Sequence, residues 1–205
     1  MTPRLTRKFY GRDPVTLAKA LLGQQLVRVL GDRNHTRLAG MIVEVEAYLG
    51  LKDKAAHTYG GRRTDRNESM WGDAGHAYVY FTYGMHHCMN VVASVAGDPV
   101  AVLIRALEPA EGLKAMYRDR KAAKCDTDLC SGPAKLCQAL QIDRGFDGHD
   151  LTKPGSLFIE KRRKTPLPDC RICRGPRIGV SYAENWADKP LRFYLNENPH
   201  VSKPR

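Results

Sequence analysis

The stretch from Met41 to Tyr48 alternates between two kinds of side chain, as a β-strand with two different faces does. One predicted face is apolar and consists of Met41, Val43, Val45 and Ala47; the other consists of Ile42, Glu44, Glu46 and Tyr48. Two carboxylates and an aromatic ring therefore share the side of this strand that faces away from the core. This arrangement suits the activation of water beside a stacked planar substrate. It is also typical of a half-solvated strand whose acidic residues face water.

Similar patterns predict helices and strands along the rest of the chain. Asp13 and Pro14 start a helix whose apolar face ends before Gly23, and further helices are predicted from about 110 to 123 and from about 131. Strands are predicted at 24–30, 37–48, 77–82, 88–95, 100–106, 156–160 and 191–195, with loops at 52–75 and 161–168. The strands are predicted to pair in two antiparallel hairpins, 24–30 with 37–48 and 77–82 with 88–95. The order of helices and strands does not follow the βαβ pattern of a parallel sheet. The sequence thus predicts a mixed α/β (α+β) fold in one domain over residues 1–205.

Composition excludes few classes of protein, but charge favours one kind of partner. No segment approaches the roughly 20 apolar residues that cross a bilayer, and no secretory signal is recognisable, so a cytoplasmic protein is expected. The 33 Lys and Arg residues exceed the 22 Asp and Glu residues, which gives a net charge of +11. Basic residues cluster at 62–66, 118–124 and 161–164. These clusters favour a polyanion such as nucleic acid, although a solvated surface explains them too.

The chain has six cysteines, and four of them leave a metal site open as an alternative. Cys125 and Cys130 form one closely spaced pair, and Cys170 and Cys173 form another. Zinc sites join pairs of this kind, but the gap between these two pairs is longer than in most zinc fingers. The other interpretation is that Cys170 and Cys173 lie on the surface with no special role. Cys130 and Cys137 flank a predicted helix start, where small buried thiols are common.

Aromatic residues crowd around the turn of the second predicted hairpin. Tyr78, Tyr80 and Tyr83 lie within six residues, and Met85 follows the turn glycine Gly84. A turn is partly exposed because its backbone groups need water. Such a tip can push a wedge residue into a base stack, or its rings can pack beneath the preceding loop.

Several short strings, taken in order, resemble the alkyladenine (3-methyladenine) DNA glycosylase family from about Leu5 to Ser202. They are Glu46-Ala47-Tyr48-Leu49-Gly50, Ala55-Ala56-His57, Gly60-Gly61-Arg62, Tyr78-Val79-Tyr80, Tyr83-Gly84-Met85, Cys88-Met89-Asn90, the segment 103–109, the segment 129–136 and the segment 189–194. The resemblance implies a compact domain with an antiparallel sheet and a protruding β-hairpin that inserts into DNA.

The resemblance also implies roles for particular residues. Glu46 is expected to be the general base that deprotonates the attacking water, and Arg105 is expected to help hold that water and a nearby phosphate. The base pocket is expected to consist of Tyr48, His57, Tyr80, Asn90 and Ile178. Intercalation and DNA contact are expected from Tyr83, Met85, His86 and Gly179. His86 departs from the family pattern, in which an aromatic residue is common at this position.

The activity that this resemblance implies is hydrolysis of the N-glycosidic bond of alkylated or deaminated purines in double-stranded DNA, after the base has flipped into an aromatic pocket. No cofactor or metal is expected. No lysine lies in the matched strings that carry the catalytic residues, so a monofunctional enzyme without a lyase step is expected. A monomer is expected, associated with the nucleoid if the source is bacterial. Two rivals are a non-catalytic, metal-stapled nucleic-acid binder and a metal-dependent hydrolase using His57, His86 and His87. The second is disfavoured because adjacent residues of a strand point to opposite faces.

Overall fold

A computed structural model describes residues 3–202, and its centre is a curled antiparallel sheet. The strands are β1 (Gln25–Val29), β2 (Arg37–Tyr48), β3 (Ala77–Thr82), β4 (His86–Val92), β5 (Ala101–Glu111), β6 (Leu157–Glu160), β7 (Ile172–Gly175) and β8 (Arg192–Leu195). The main path runs β3-β4-β5-β2-β1-β6, and β8 pairs with both β2 and β7. The α-helices are α1 (Arg7–Tyr10), α2 (Pro14–Leu21), α3 (Leu113–Asp119), α4 (Asp126–Leu129) and α5 (Pro133–Ala139).

Most predicted elements are present, and the differences have local causes. The Asp13 side chain caps α2 by accepting hydrogen bonds from the backbone N–H groups of Val15 and Thr16, as predicted. Both hairpins are antiparallel. The helix predicted from about 110 is shorter because β5 continues to Glu111 and Gly112, with φ +78°, turns the chain into α3. The short elements α1, α4 and β7 were missed, since four residues carry too little periodicity to be recognised.

An irregularity in the middle of β2 corrects the predicted alternation. The register with β5 passes from Ile42 to Glu44 and skips Val43, while on β5 it passes from Ala106 to Ile104 and skips Arg105. At the same point the other edge of β2 changes partner, from β1 to β8.

Because of this irregularity, the residues of β2 before Glu44 lie on the opposite faces of the strand from those predicted. Ile42 packs in the main core with Val45 and Ala47, whereas the sequence placed it with the carboxylates. Met41 and Val43 pack in a separate cluster with Ala106 and Val201, and not with Val45. Glu44 and Glu46 nevertheless share one face, as predicted, and both are fully buried rather than solvated.

The main core lies between the sheet and the helices. It joins α2, α5, β2, β4 and β5 through residues such as Leu17, Leu21, Met89, Ile104 and Leu136. Within residues 3–202, the structure has no helix that is both long and apolar enough to cross a membrane. The predicted mixed α/β class with an antiparallel sheet is confirmed.

Candidate active site

A cleft of about 400 Å³ opens where β2, β3, β4 and β5 meet the segment 178–182. Its volume falls in the range of small-molecule sites in proteins. Among its lining residues are eight of those predicted for the site, and they are Tyr48, His57, Tyr80, Tyr83, Asn90, Arg105, Ile178 and Gly179. The structure thus brings together residues that are more than 130 positions apart in the chain, such as Tyr48 and Gly179.

The Glu46 carboxylate lies directly behind the lining and is fully buried. One of its oxygens, Oε1, accepts a hydrogen bond of 2.8 Å from the backbone N–H of Ile178. The other, Oε2, accepts one of 2.8 Å from the hydroxyl of Tyr48. Burial raises the pKa of Glu46 above its ordinary value, although the charge of Arg105 and these two hydrogen bonds act in the opposite direction. A buried carboxyl with a raised pKa is suited to taking up a proton.

Arg105 joins the two buried carboxylates of β2. Its Nε donates to Glu44 Oε1 at 3.2 Å, and its Nη1 lies 3.3 Å from Glu46 Oε1. Burial acts to lower the pKa of Arg105, but the charges of Glu46 and Glu44 outweigh it and raise that pKa. The guanidinium therefore carries a fixed positive charge between the cleft and the two acids.

The Tyr48 wall of the cleft rests on a buried ion pair. The guanidinium of Arg177 lies 4.6 Å from the centre of the Tyr48 ring. Two of its nitrogens bind the carboxylate of Asp53 at 2.6 and 2.8 Å, and both side chains are fully buried. Asp53 also accepts hydrogen bonds from the backbone N–H groups of Leu49 and Ala55. This pair ties the segment that follows β2 to the segment that supplies Ile178.

Another wall of the cleft is built from rings. The centres of His57 and Tyr80 lie 4.7 Å apart, and those of Tyr78 and Tyr80 lie 5.3 Å apart. His57 Nδ1 and the Tyr78 hydroxyl share a hydrogen bond of 2.7 Å. Burial, together with the charges of Arg66 and Arg62, lowers the pKa of His57 to about 4. His57 is therefore neutral near pH 7 and presents an uncharged ring to the cleft.

Asn90 enters the cleft from β4, beside the ring wall. Its Nδ2 donates to the carbonyl oxygen of Tyr78 at 3.1 Å, which fixes the orientation of the amide. The Asn90 side chain is buried, so its polar atoms are rigid features of the cleft floor.

The turn between β3 and β4 displays two large apolar side chains to solvent. Tyr83 is 86% exposed and also borders the cleft, and Met85 is 70% exposed. Tyr83 has φ +51° and Gly84 has φ +68°, the signs that a type I′ turn needs. A bulky residue rarely adopts positive φ, so the turn holds Tyr83 in a strained conformation.

Two predicted contact residues lie away from the lining. Met85 and His86 belong to the hairpin, and both are exposed rather than part of the cleft. The residues that sequence reasoning missed are the supports of the site, namely Glu44 as a partner of Arg105, the pair Asp53 and Arg177, Tyr78 behind His57, and Tyr182 at the rim. The position of Arg177 directly before the implied residue Ile178 was the one available signal.

The structure does not bring together the four cysteines of the alternative zinc site, all of which lie within the described residues. Cys130 is buried, whereas Cys125 and Cys170 are exposed. Among residues 3–202, no three His, Cys, Asp or Glu side chains come close enough together to hold a metal ion.

Comparisons with known proteins identify relatives of nearly the whole chain. A family model described as methylpurine-DNA glycosylase matches residues 8–199. Mouse DNA-3-methyladenine glycosylase is 46% identical over 207 residues, which cover 97% of this chain and 61% of the mouse protein. Human DNA-3-methyladenine glycosylase is also 46% identical, with 97% of this chain and 68% of the human protein covered. A relative from Clostridium acetobutylicum is 46% identical, and 97% of each chain is covered. The chain therefore spans less than two thirds of the length of the mouse protein.

Proposed function

Because the chain belongs to the methylpurine-DNA glycosylase family, we propose that it hydrolyses the N-glycosidic bond of alkylated or deaminated purines in double-stranded DNA. The resemblance drawn from the sequence is thus confirmed at the level of the family. The substrate, the base flipping and the roles of single residues belong to the proposal.

The observation that carries the proposal is one buried acid at an aromatic cleft. Glu46 contacts Tyr48, Ile178 and Arg105, and each of these three residues also lines the cleft. A planar base that stacks between Tyr48 and the rings of His57 and Tyr80 would bring its sugar close to Glu46. Enzymes that act on a base in a duplex use such a pocket for the extruded nucleotide.

The proposed reaction needs only water and the residues of the cleft. Glu46 accepts a proton from water, and the resulting hydroxide oxygen bonds to C1′ of the deoxyribose. The electron pair of the C1′–N bond leaves with the base. In the transition state the proton is only partly transferred, so the Glu46 carboxylate keeps part of its negative charge and stabilises the cationic character of the sugar. A cationic alkylated purine leaves as a neutral base. A neutral lesion such as hypoxanthine leaves as an anion that takes up a proton from water, and the proton on Glu46 returns to solvent.

The ring walls of the cleft support binding of the flipped base. Stacking on Tyr48, His57 and Tyr80 offsets the few kcal/mol needed to unstack a nucleotide. An electron-poor, positively charged purine gains cation–π attraction as well. We assign to Asn90 the role of excluding certain purines. The orientation of the Asn90 amide is fixed, and a purine with an exocyclic amine at the position facing that amide would be excluded.

The proposal is tested by base release from matched duplexes. Duplexes carrying hypoxanthine, ethenoadenine or an alkylated adenine, and an undamaged control, are incubated with the protein and then cleaved with alkali at abasic sites. We expect release from at least one damaged duplex and none from the undamaged one, with full activity in excess chelator. Equal results for damaged and undamaged DNA would contradict the proposal.

We assign a monofunctional outcome to the chain because, among residues 3–202, no residue that lines the cleft carries an amine. Without an amine, no Schiff base forms with the deoxyribose, so the abasic strand stays uncut until alkali is added. The same incubations, run with borohydride, are expected to yield no covalent adduct between protein and DNA.

Tyr83 is proposed to enter the duplex in place of the flipped nucleotide, with Met85 and His86 beside it. A turn that holds a bulky side chain at positive φ and 86% exposure is suited to such insertion. Gly179, with φ +79° and open space around its Cβ position, permits a close approach of a phosphate to the backbone.

Replacement of Tyr83 by alanine is expected to weaken binding of lesion-containing DNA about tenfold, because one stacked ring contributes roughly 1–3 kcal/mol. Binding is measured by titration of a fluorescent lesion duplex. Tyr59→Ala removes another exposed tyrosine that lies outside the cleft lining and serves as the control. Equal losses in the two variants would refute a special role for the turn.

A further inference from the structure

We propose that Glu44 is a positioning residue that holds Arg105 away from full engagement with Glu46, so that Glu46 stays basic enough to deprotonate water. This inference rests on the function proposed above. It assigns a task to the second carboxylate of β2, which does not line the cleft.

Arg105 contacts each of the two acids through one nitrogen. Its Nε donates a hydrogen bond to Glu44 at 3.2 Å, and its Nη2 donates to Ser202 Oγ at 3.4 Å. Only Nη1 approaches Glu46, at 3.3 Å. A bidentate arginine–carboxylate pair is the strongest arrangement, and here neither acid has one. Glu46 thus receives the charge of Arg105 without the paired hydrogen bonds that would make it a weak base.

Glu44 can hold this arginine because it is itself fixed. Its Oε2 accepts a hydrogen bond of 2.7 Å from the backbone N–H of Ser202, near the end of the described chain. Its Oε1 lies 3.5 Å from Nη1 of Arg192 in β8. All of these side chains are buried, so the arrangement has little freedom to change.

The charges around Glu46 set the direction of the effect. Burial raises the pKa of Glu46, Arg105 lowers it, and the nearby charge of Glu44 raises it. Loss of the Glu44 charge removes a repulsion and frees Arg105 to bind Glu46, and both changes lower that pKa. The other polar groups that face Glu46 come from its own strand, from the hairpin strands and from the segment after β7. They are Tyr48, Tyr80, Cys88, Arg177, Tyr182 and the N–H of Ile178.

The test is the pH dependence of single-turnover release of hypoxanthine by Glu44→Gln. The acidic limb of the profile reports the protonation of the base in the enzyme–DNA complex. We expect its midpoint to move down by about 1 pH unit, because a like charge is removed and an opposite charge is brought closer. The plateau rate falls severalfold because the base is weaker. Glu160→Gln is the matched control, since Glu160 is a buried carboxylate paired with Arg37 away from the cleft, and its midpoint should equal that of the parent.

An unchanged or raised midpoint in Glu44→Gln overturns the inference, whatever happens to the plateau rate. The midpoint does not depend on the amount of folded enzyme, so a partly unfolded preparation still gives the answer. If Glu44→Gln yields no folded protein, Glu44→Asp, which keeps the charge but retracts it, should give a smaller shift in the same direction, and no shift there also overturns the inference. A parent protein that releases no damaged base contradicts the proposed function instead, so the two failures are distinguishable.

Discussion

Replacement of Glu46 by glutamine should reduce base release from lesion-containing DNA by about 10²- to 10⁴-fold, the usual contribution of a general base. The amide oxygen of glutamine can still accept the hydrogen bond from the Ile178 N–H. The amide nitrogen can face the hydroxyl oxygen of Tyr48, which can rotate. The shape of the site is therefore retained, while the capacity to take a proton from water is lost.

Single-turnover rates with saturating enzyme measure this loss directly. Affinity for an uncleaved lesion duplex, measured in parallel, should stay within a few fold of the parent because the cleft lining is unchanged. Turnover near the parent level would show that another group activates the water. Loss of binding together with turnover would show that the variant had lost the site rather than the base.

Replacement of Arg177 by methionine should have the largest effect on stability, about 3–5 kcal/mol in the free energy of unfolding. The substitution leaves Asp53 buried and charged, with only the N–H groups of Leu49 and Ala55 as hydrogen-bond donors. It also removes the cation from the Tyr48 ring. Urea titration, followed by circular dichroism, measures the change.

Arg63 provides a close comparison for Arg177. It too binds a carboxylate through two nitrogens, that of Glu68, and lies over an aromatic ring, that of Trp71. Its ion pair is exposed, however, so Arg63→Met should leave the urea midpoint nearly unchanged. The double variant Arg177→Met with Asp53→Asn should recover part of the lost stability, because the unpaired charge is gone. Equal effects of the two arginine substitutions would contradict the argument from burial.

The local patterns in the sequence predicted much of the fold. The Asp13 cap, the two hairpins and the shared face of Glu44 and Glu46 all depend on neighbours within a few residues, which periodicity can reveal. The irregularity at Val43 could not be predicted from the sequence, because it involves strands that are far apart in the chain. It coincides with the change of partner from β1 to β8, and β8 lies about 150 residues further along the chain.

The residues that support the site could not be predicted from the sequence either, because their partners lie far away along the chain. Asp53 pairs with Arg177 across 124 residues, and Glu44 accepts from Ser202 across 158 residues. Nothing near Asp53 in the sequence indicates that its carboxylate will be buried opposite an arginine. The resemblance to a family identified the residues around the cleft, but it did not identify the buried groups that hold them in place.

The paired irregularity in β2 and β5 restricts the deletions that these two strands can tolerate. The two strands depart from regular alternation in step, one at Val43 and the other at Arg105. A single-codon deletion in either strand would leave its partner out of phase and would turn the side chains beyond that point towards the wrong layer. Only the loss of both positions would restore an ordinary ladder, and one of those positions carries the guanidinium beside the two acids. Descendants of this gene can therefore change many surface residues freely, but they cannot straighten this part of the sheet and keep its chemistry.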